Sequence, residues 1–423
     1  MKNLVRRAVL FLLKIMARYR MKKFRGKIVI VTGSVGKTST KDAIFTVLNR
    51  QFRVRRSEKS MNSEFGLLLT ILDIESGYSS AFKWGAFLLK AFYNSFSRDH
   101  SEILLLELGV DKKGDMDFLL SIVRPDVTVF TNVSPVHIAD GQFAGLDEIF
   151  EEKRKAIDAM GVDGIAVLNV DNEFIAKLAK KRGKKNTLTY SIRENADFRA
   201  RSLKLELDGT SFILEHEGKK YEVSSSVLGK YNAFVMLPAI ICGLIFKMDI
   251  VDAILALGEY QLPPGRMSLI AGKDGSSILD SSYNSSPEAL LEALKLLGAL
   301  GEGKRKIAVL GSMNELGTSS HRMHEELGRA VPKYADELIT VGKDAEFFAK
   351  GALNAGMEKG KVSSYANAHA AAVDYVPKSK DLLLVKGSQN MVRLERFVKA
   401  VMAEPERASE LLVRQEKDWK KID

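Results

Sequence analysis

Residues 28–48, "IVIVTGSVGKTSTKDAIFTVL", decide the fold of the first half of the chain. Four β-branched residues begin the stretch and predict a buried strand, and the amphipathic run that ends it predicts a helix. A tight turn bounded by Gly33 and Gly36 lies between them. Glycines allow backbone N–H groups to close around an anion, and the N-terminus of the following helix favours negative charge. The pattern therefore favours a phosphate-binding loop over an ordinary helix N-cap.

Each residue of this loop has a predicted part in holding a nucleotide. We expect Lys37 to reach the outer phosphates and the Thr38 hydroxyl to ligate Mg²⁺. The spacing departs from the common form, because two residues separate the glycines where four are usual. The predicted nucleotide-binding residues of the loop are Gly33, Ser34, Val35, Gly36, Lys37, Thr38 and Ser39.

A magnesium site beside a phosphate loop also needs a carboxylate, best placed at the end of a neighbouring strand. The stretch "EILLLELG", residues 102–109, supplies one, since Glu107 ends a run of buried-type residues. The alternative is a solvated charge at a strand end, and the nearby phosphate loop makes it the weaker interpretation. We therefore expect Glu107 to bind the metal together with Thr38.

The composition indicates a globular chain of more than one domain. Its 423 residues exceed one ordinary core, and 46% hydrophobic with 28% charged residues is a usual globular mix. The single cysteine, Cys242, excludes a disulfide framework and favours a reducing, cytoplasmic setting. The net charge of +11 suits anionic ligands, but the sequence contains no nucleic-acid-binding motif, so we expect no nucleic-acid partner.

The order of predicted elements indicates two α/β domains. Residues 27–180 alternate apolar strands with helical stretches, which predicts a parallel sheet covered by helices. Residues 186–228 alternate apolar and polar positions between turn signals, which predicts antiparallel hairpins. "QLPPGRM", residues 261–267, is the predicted junction, and strands and helices alternate again beyond it. The predicted parts are an N-terminal helix (1–26), a central domain (27–264), a second domain (265–403) and a charged tail (404–423), the tail as a solvated helix or frayed end.

Two apolar stretches each have two interpretations. Residues 1–24 place cationic and large apolar side chains at helical spacing, without an apolar run long enough to cross a bilayer. Such a helix can lie on an anionic membrane surface or pack on the body of the protein, and the sequence favours neither. Residues 78–96 are rich in aromatic side chains and can form either a core-packing helix or a membrane-facing one.

Short motifs along the chain resemble those of the Mur ligase family and occur in that family's order. They are "TGSVGKTSTK" (32–41), "NSEFG" (62–66), "LELGVDKKGDM" (106–116), "TNVSPVHI" (131–138), "EEKRKAI" (151–157), "YNAF" (231–234), "PPGRM" (263–267), "LDSSYNSSPEAL" (279–290), "GSMNELG" (311–317) and "LVKGS" (384–388). The resemblance covers nearly everything from residue 27 onward. It implies a P-loop central ATPase domain with a parallel sheet and a small antiparallel sub-sheet, followed by a Rossmann-like C-terminal α/β domain.

The resemblance also implies roles for individual residues. Lys153 matches a lysine that is carbamylated in many members and then acts as an anion near the metal, and His137 matches a ligand of a second metal ion. The implied catalytic residues are Lys37, Asn132, His137, Lys153 and Arg266, and the implied metal ligands are Thr38, Glu107 and His137. The implied nucleotide contacts outside the loop are Asn232, Arg266, Asp280, Tyr283 and Asn284, and the implied substrate contacts are Asn62, Glu315 and Lys386.

The family forms amides with ATP: a carboxylate attacks the γ-phosphate to give an acyl phosphate, and an amine then displaces phosphate. "DSSYNSSPEAL" and "GSMNELG" are similar to the member that joins D-alanyl-D-alanine to a UDP-muramoyl tripeptide in peptidoglycan synthesis. The resemblance thus implies an ATP- and Mg²⁺-dependent peptide ligase, which we expect to be a monomer. Two alternatives stay open: a Mur-type ligase with another amine or acyl substrate, and a nucleotide-binding switch or scaffold that no longer ligates.

Some positions depart from the family pattern and bear on the substrate rather than on the fold. They are Tyr231, Val235, Ser281, Ser312 and Gln389, which match nucleotide and dipeptide contacts. Only 26 residues precede the strand at Lys27, so the family's N-terminal domain, which grips the UDP-sugar, is expected to be absent.

Overall fold

The protein forms two compact units, seen in a computed structural model that describes residues 2–57, 64–74, 81–135, 142–314, 316–388, 392–416 and 419. The first unit comprises residues 1–204, 211–225 and 230–260, and the second comprises 205–210, 226–229 and 261–423. The helices up to residue 260 are α1 (Lys2–Lys23), α2 (Lys37–Leu48), α3 (Glu64–Leu72), α4 (Ala81–Phe96), α5 (Asp115–Leu120), α6 (Leu146–Asp158), α7 (Glu173–Arg182), α8 (Tyr231–Ile245) and α9 (Ile250–Leu257). The strands in this part are β1 (Lys27–Thr32), β2 (Val54–Arg56), β3 (Ile103–Leu108), β4 (Val127–Phe130), β5 (Ile165–Asn169), β6 (Thr187–Ser191), β7 (Phe198–Glu206), β8 (Gly209–His216) and β9 (Lys219–Ser225). Beyond residue 260 lie β10 (Ser268–Ala271), β11 (Ser277–Ser281), α10 (Pro287–Leu300), β12 (Arg305–Gly311), α11 (Ser320–Gly328), β13 (Glu337–Val341), α12 (Glu346–Asn354), β14 (Val362–Tyr365), α13 (Ala368–Asp374), β15 (Asp381–Lys386), α14 (Glu395–Val401) and α15 (Ala408–Leu411).

The first nine strands form one sheet in the order β2-β3-β1-β4-β5-β6-β7-β8-β9. Strand β1 pairs in parallel with β3 on one side and β4 on the other, so the strand order reverses at β1. In open α/β sheets, ligands bind beyond the carboxyl ends of the strands at such a reversal. The sheet therefore places the loop after β1 where a ligand site is expected.

The predicted antiparallel hairpins occupy one edge of this same sheet. Two residues connect β7 to β8 and two connect β8 to β9, a length that joins only antiparallel neighbours. The second turn has Glu217 at φ 49° and Gly218 at φ 73°, the left-handed pair that tight hairpins require. Strand β6, in contrast, pairs in parallel with both β5 and β7. The hairpin region thus begins at residue 198 rather than 186.

The second unit contains a six-stranded sheet in the order β10-β11-β15-β12-β13-β14, in which β10 alone pairs antiparallel. Alternate residues of its strands belong to two separate cores. Ala308 and Leu310 pack in one core, and Ile307 and Val309 pack in the other. Because successive side chains point to opposite faces of a strand, this division shows that helices cover both faces. The predicted α/β fold class is confirmed.

Helix α1 packs on the protein's own first unit through one of its faces. Leu13 and Ala17 are fully buried in the core that α3 and β3 also share. Arg20 is buried as well and lies 3.7 Å from the Asp99 carboxylate. Packing on the body, one of the two predicted alternatives for this helix, therefore occurs. Among the described residues, no helix has both the length and the apolar character needed to cross a bilayer.

The prediction of a solvated tail is wrong for part of the segment 408–414, whereas residues 404–407 are exposed as predicted. Leu412 is buried in a core of the second unit, and Arg414 is buried against Glu395 of α14. The charged composition of this segment gave no sign that it is held in place. Leu412 packs in a core, and Arg414 pairs with Glu395, and both contacts depend on residues outside the segment. Cys242 is fully buried in α8, and burial raises the pKa of its thiol, as suits a packing residue.

Candidate active site

The phosphate loop after β1 needs glycine at its first position for steric reasons. Gly33 has φ 145°, and a Cβ there would lie 2.0 Å from the Thr131 hydroxyl. Gly36 has φ 81° and precedes the first turn of α2. The first N–H groups of a helix have no acceptor within the helix, so the start of α2 offers donors to an anion. The loop therefore has the backbone conformation that the sequence predicts.

Asn132, which follows β4, holds the loop in place. Its backbone carbonyl accepts a hydrogen bond from Ser34 N at 2.9 Å, and its side-chain Oδ1 accepts one from Val35 N at 2.7 Å. The Thr131 hydroxyl donates to Val35 O at 2.8 Å. Ser34 Oγ also donates to Ser134 O at 3.1 Å. Asn132, which the resemblance implies to be catalytic, thus shapes the loop from the neighbouring strand.

Thr38 and Glu107 meet as the metal hypothesis requires. Residue Val31 of β1 lies opposite Glu107 of β3 in the parallel register, and Thr38 is the second residue of α2. The Thr38 hydroxyl donates to Glu107 Oε2 at 2.8 Å, and Glu107 is only 2% exposed. Hydroxyl and carboxylate oxygens are ligands that Mg²⁺ accepts, usually together with water and phosphate oxygens. The pair fits that ion, although within the described ranges no three His, Cys, Asp or Glu side chains come together as a metal cluster.

Two lysines lie near each other in this part of the site, Lys153 buried and Lys37 half-buried. Lys37 Nζ donates to Ser34 O at 3.2 Å, so the side chain folds back over the loop. Burial lowers the pKa of Lys37, against the opposing effect of Glu107 and Asp111. Lys153, on α6, is 1% exposed, and its pKa falls to about 7. The largest cause is burial and the next is the charge of Lys37, so the structure brings the two lysines together.

Glu152 is a supporting residue of the candidate site that the sequence analysis missed. It is 2% exposed and accepts hydrogen bonds from Gly114 N at 2.9 Å and Met116 N at 2.8 Å. Lys155 Nζ lies 2.7 Å from its other carboxylate oxygen. These bonds fasten α6 to the start of α5. Because Lys153 is the next residue of α6, they also fix the position of Lys153. A charged side chain within the run "EEKRK" is expected to face solvent. The sequence pattern therefore gave no indication that Glu152 is buried.

One further predicted nucleotide contact of the first unit, Asn232, lies on α8, which packs against α2. Asn232 is buried in the first turn of α8, the helix that packs most extensively against α2. The Tyr260 hydroxyl donates to Ser39 O at 3.1 Å. Lys41, which had no predicted role, is buried and donates to Ser57 O at 2.7 Å. Predicted contacts Asn62, His137 and Glu315 lie outside the described residues.

In the second unit, Asp280 and Lys386 lie at the carboxyl ends of two adjacent parallel strands, Asp280 as the next-to-last residue of β11 and Lys386 as the last residue of β15. Ser281 lies opposite Lys386 in the register of β11 and β15. Lys386 Nζ donates to Ser281 Oγ at 3.1 Å and to Asn284 O at 3.0 Å, so it holds the loop that follows β11. Burial lowers the pKa of Lys386 to about 8, while the Asp280 charge opposes that shift. Lys386, predicted to bind substrate, is therefore engaged with the loop that carries Asn284.

Asp280 keeps one oxygen without a partner. Its Oδ1 accepts a hydrogen bond from Ser282 N at 3.0 Å, whereas Oδ2 is buried and has no hydrogen bond to any described residue. Burial raises the pKa of this carboxyl to about 6. A buried polar atom left in this way is uncommon in folded proteins and suits a group that binds a ligand. Asp280 therefore fits its predicted place in a nucleotide contact.

Arg266 and Tyr283 form a stacked pair at the start of the second unit. The Arg266 guanidinium lies 4.5 Å from the centre of the Tyr283 ring, and Tyr283 N donates to Gly265 O at 3.0 Å. Arg414 from the tail donates to the carbonyls of Ser282 and Tyr283 at 3.1 and 2.7 Å. The loop is thus held by residues far apart in sequence, and the role of Arg414 was not predicted.

The fold and the site define a class: a P-loop nucleotide-binding α/β protein with a second α/β domain. Residues 31–243 match the family model of the Mur ligase middle domain, and residues 265–389 match that of the Mur ligase glutamate ligase domain. The chain is 30% identical over 393 residues to the UDP-N-acetylmuramoyl-tripeptide–D-alanyl-D-alanine ligase of Bacillus subtilis. The aligned region covers 92% of this chain and 79% of that protein. The chain belongs to the Mur ligase family, and the predicted resemblance is confirmed.

Solved structures agree with this assignment. MurF from Acinetobacter baumannii superposes with a TM-score of 0.76 at 22% identity, covering 92% of this chain and 79% of its own. The MurF ligase from Thermotoga maritima, solved in complex with ADP, gives a TM-score of 0.73 at 26% identity and covers 94% and 84%. The first likeness supports the fold, and the second is a likeness to a relative that binds ADP.

Proposed function

We propose that this chain is an ATP-dependent peptide ligase of peptidoglycan synthesis that joins D-Ala-D-Ala to the free carboxyl of a UDP-N-acetylmuramoyl-tripeptide. The observation that carries the ATP part is the phosphate loop with Thr38 bonded to the buried Glu107. The substrates are those in the printed name of the Bacillus subtilis relative, which aligns with 92% of the chain. Since the single cysteine suits a reducing compartment, we place the reaction in the cytoplasm.

The residues of the loop fit Mg²⁺ and a nucleotide. Thr38 and Glu107 would hold the ion through a hydroxyl and a carboxylate oxygen. Bound Mg²⁺ would offset the negative charge of the nucleotide's outer phosphates. The N–H groups at the start of α2 would receive those phosphates, and Asn132 keeps the loop open by bonding Ser34 and Val35 from the side.

The ligation proceeds in two steps, formation of an acyl phosphate and its displacement by an amine. A carboxylate oxygen of the tripeptide attacks the γ-phosphorus of ATP, and ADP leaves to give an acyl phosphate. The amine of D-Ala-D-Ala then attacks the acyl carbon, phosphate leaves with the electron pair of the C–O bond, and the nitrogen loses a proton. Negative charge spreads over the transferring phosphoryl group in the first step. Lys37, held over the loop by its bond to Ser34 O, is placed to stabilise that charge.

Lys153 is proposed to act as a carbamate. A neutral lysine amine adds to CO₂, forming an N–C bond and releasing one proton, and the product carries a negative charge. The pKa of about 7 leaves roughly half of the side chain neutral at pH 7, so the amine is available. The resulting anion would lie near Lys37, and so would replace a repulsion between two lysines by an attraction.

The test is ADP release measured with a coupled assay, with each substrate omitted in turn. We expect ADP only when ATP, Mg²⁺, the UDP-muramoyl tripeptide and D-Ala-D-Ala are all present, and a product whose mass equals the two substrates less one water. ADP release that depends on the tripeptide but on a different amine would identify another Mur-type ligase. Slow hydrolysis that neither acceptor changes would identify a nucleotide switch and contradict the proposal.

A further inference from the structure

Helix α1 has two apolar faces, and only one of them is covered. The inner face carries the buried residues Leu13 and Ala17. The opposite face carries Phe11, Leu12, Ile15 and Tyr19, whose exposed fractions run from 40% to 64%. A helix on the surface of a globular protein normally turns charged residues outward. Packing on the body therefore does not account for the outer side of α1.

Helix α4, which packs beside α1, repeats this arrangement. Ala91 and Ser95 are buried on its inner side. Its outer side carries Leu89, Phe92, Tyr93 and Phe96, with exposed fractions from 53% to 74%. The rings of Tyr19 and Phe96 lie 5.1 Å apart, so the two exposed surfaces join. The eight side chains form one apolar surface, called here the outer apolar face.

The charged side chains of the two helices themselves have a single sign. Neither α1 nor α4 contains an acidic residue. Arg18, Lys22 and Lys23 are exposed on α1, and Lys23 Nζ lies 4.2 Å from the Tyr19 ring centre and 5.3 Å from that of Phe96. Cations that flank an exposed aromatic surface are the arrangement by which helices bind in the interface of an anionic bilayer.

A cationic cleft adjoins the same face, where α1 and α4 end. The cleft encloses about 300 Å³ and is lined by Arg20, Lys23, Arg25, Phe96, Arg98 and Asp99. Arg20 is 6% exposed, and its Nε and Nη1 atoms have no hydrogen bond to any residue in the described parts of the chain. Asp99, the only acid among the described residues that line the cleft, lies 2.6 Å from Arg55 and 3.7 Å from Arg20. One carboxylate between two arginines leaves donors for a further anion.

We propose that the outer apolar face docks on an anionic phospholipid bilayer, with a lipid phosphate in the cleft against Arg20. The aromatic and aliphatic side chains would enter the headgroup region, and the flanking lysines and arginines would contact anionic lipids. The positive charge of α1 and α4 favours lipid over a second copy of this chain, since two such helix pairs repel each other. The protein would lie on the membrane without crossing it. This inference is independent of the ligase reaction.

The experiment is co-sedimentation of the full chain with vesicles of phosphatidylcholine alone and of phosphatidylcholine with 30% phosphatidylglycerol, a composition chosen to give roughly the charge of an anionic leaflet. Deleting α1 would remove Leu13 and Ala17 from the core, so point variants of exposed residues are used. We expect the wild type to bind anionic vesicles at least tenfold more tightly than neutral ones, and more weakly at high salt.

The double variant Ile15→Ser/Phe92→Ser should lose at least tenfold of this binding. The matched control, Leu255→Ser/Val376→Ser, removes two side chains of similar exposure elsewhere and should bind like the wild type. Arg18→Gln/Lys22→Gln should lose the preference for anionic vesicles. Thermal melts like that of the wild type would show that each variant folds.

Three results would overturn the proposal. The first is equally weak binding of the wild type to both vesicles. The second is loss of binding in the control pair to the same extent as in the Ile15→Ser/Phe92→Ser pair. The third is a wild-type dimer, in sedimentation velocity, that the Ile15→Ser/Phe92→Ser variant dissociates, because the face would then be an interface between copies.

Discussion

Replacing Lys153 by arginine tests the proposed anion at the centre of the site. An ordinary lysine has a pKa of 10.5, and that of Lys153 falls to about 7, mainly through burial and then through the charge of Lys37. At pH 7 the neutral fraction thus rises from about 1 in 3,000 to about one half, because each pKa unit is a factor of ten. Arginine stays protonated and cannot form a carbamate, so Lys153→Arg puts a permanent cation where we propose an anion.

We expect Lys153→Arg to lower kcat by about 10² to 10³, the usual effect of losing one preorganised group that stabilises charge. ADP release with both acceptor substrates saturating is the assay. Arg154→Gln, one position along α6 and paired only with Glu151 and Asp158 in the described structure, is the matched control and should stay within about twofold of wild type, as surface substitutions generally do. A Lys153→Arg enzyme that keeps more than about a tenth of wild-type kcat, a barrier change below ~1.4 kcal/mol, would refute the reasoning.

The pH dependence gives a second readout. Because the pKa of Lys153 lies below the ordinary value, the neutral amine accumulates as the pH rises through about 7. At constant dissolved CO₂, a carbamate that occupies a minor fraction of the sites should fall by up to about a hundredfold for each pH unit below 7, because the ammonium and the adduct each release one proton. Above 7 it should rise by about tenfold per unit until the site is saturated, and activity should follow it. A ¹³C signal from labelled CO₂, present in the wild type and absent from Lys153→Arg, would identify the adduct without reference to activity. Activity that does not respond to CO₂ removal would contradict it.

Four further outcomes are expected. Lys37→Ala should leave the fold intact and reduce kcat at least about tenfold, since it removes a cation from the transferring phosphoryl group; ADP release and a thermal melt check both parts. Thr38→Val, which keeps the shape of the side chain but loses the 2.8 Å bond to Glu107, should raise the Mg²⁺ concentration for half-maximal activity. Arg414→Ala should lower the free energy of unfolding by about 3 kcal/mol in urea titrations, because it leaves the buried Glu395 with one arginine instead of two. Sedimentation velocity without lipid should show a monomer.

The sequence alone was sufficient for the phosphate loop and the two sheets. Gly33 and Gly36 have the positive φ angles that the turn requires, and the apolar runs became buried strands. These features are local: a glycine's conformational freedom and a strand's hydrophobic run act over a few residues. The pairing of Thr38 with Glu107 was also predictable, because the carboxyl ends of parallel strands meet at one edge of a sheet.

The residues that hold the site in place could not be predicted from the sequence in the same way. Glu152 and Arg414 belong to charged stretches that resemble solvated surface, yet both are buried and bonded to backbone groups. The predicted roles of Asn132 and Lys386 concerned ligands, and the structure shows both side chains bonded to loops of the protein. Which polar group becomes buried depends on what packs over it, and that is a property of segments far apart in sequence.

The N-terminal helix shows most clearly what the sequence pattern leaves undetermined. Its spacing of apolar and cationic residues determined that residues 2–23 form a helix with no continuous apolar span, and left packing and membrane contact as alternatives. Only the tertiary structure decided that Leu13 and Ala17 face the protein while Phe11 and Ile15 face outward. The helical period fixes which side chains share a face, but burial depends on neighbours, and here α3 and α4 cover one face of α1 and leave the other to solvent.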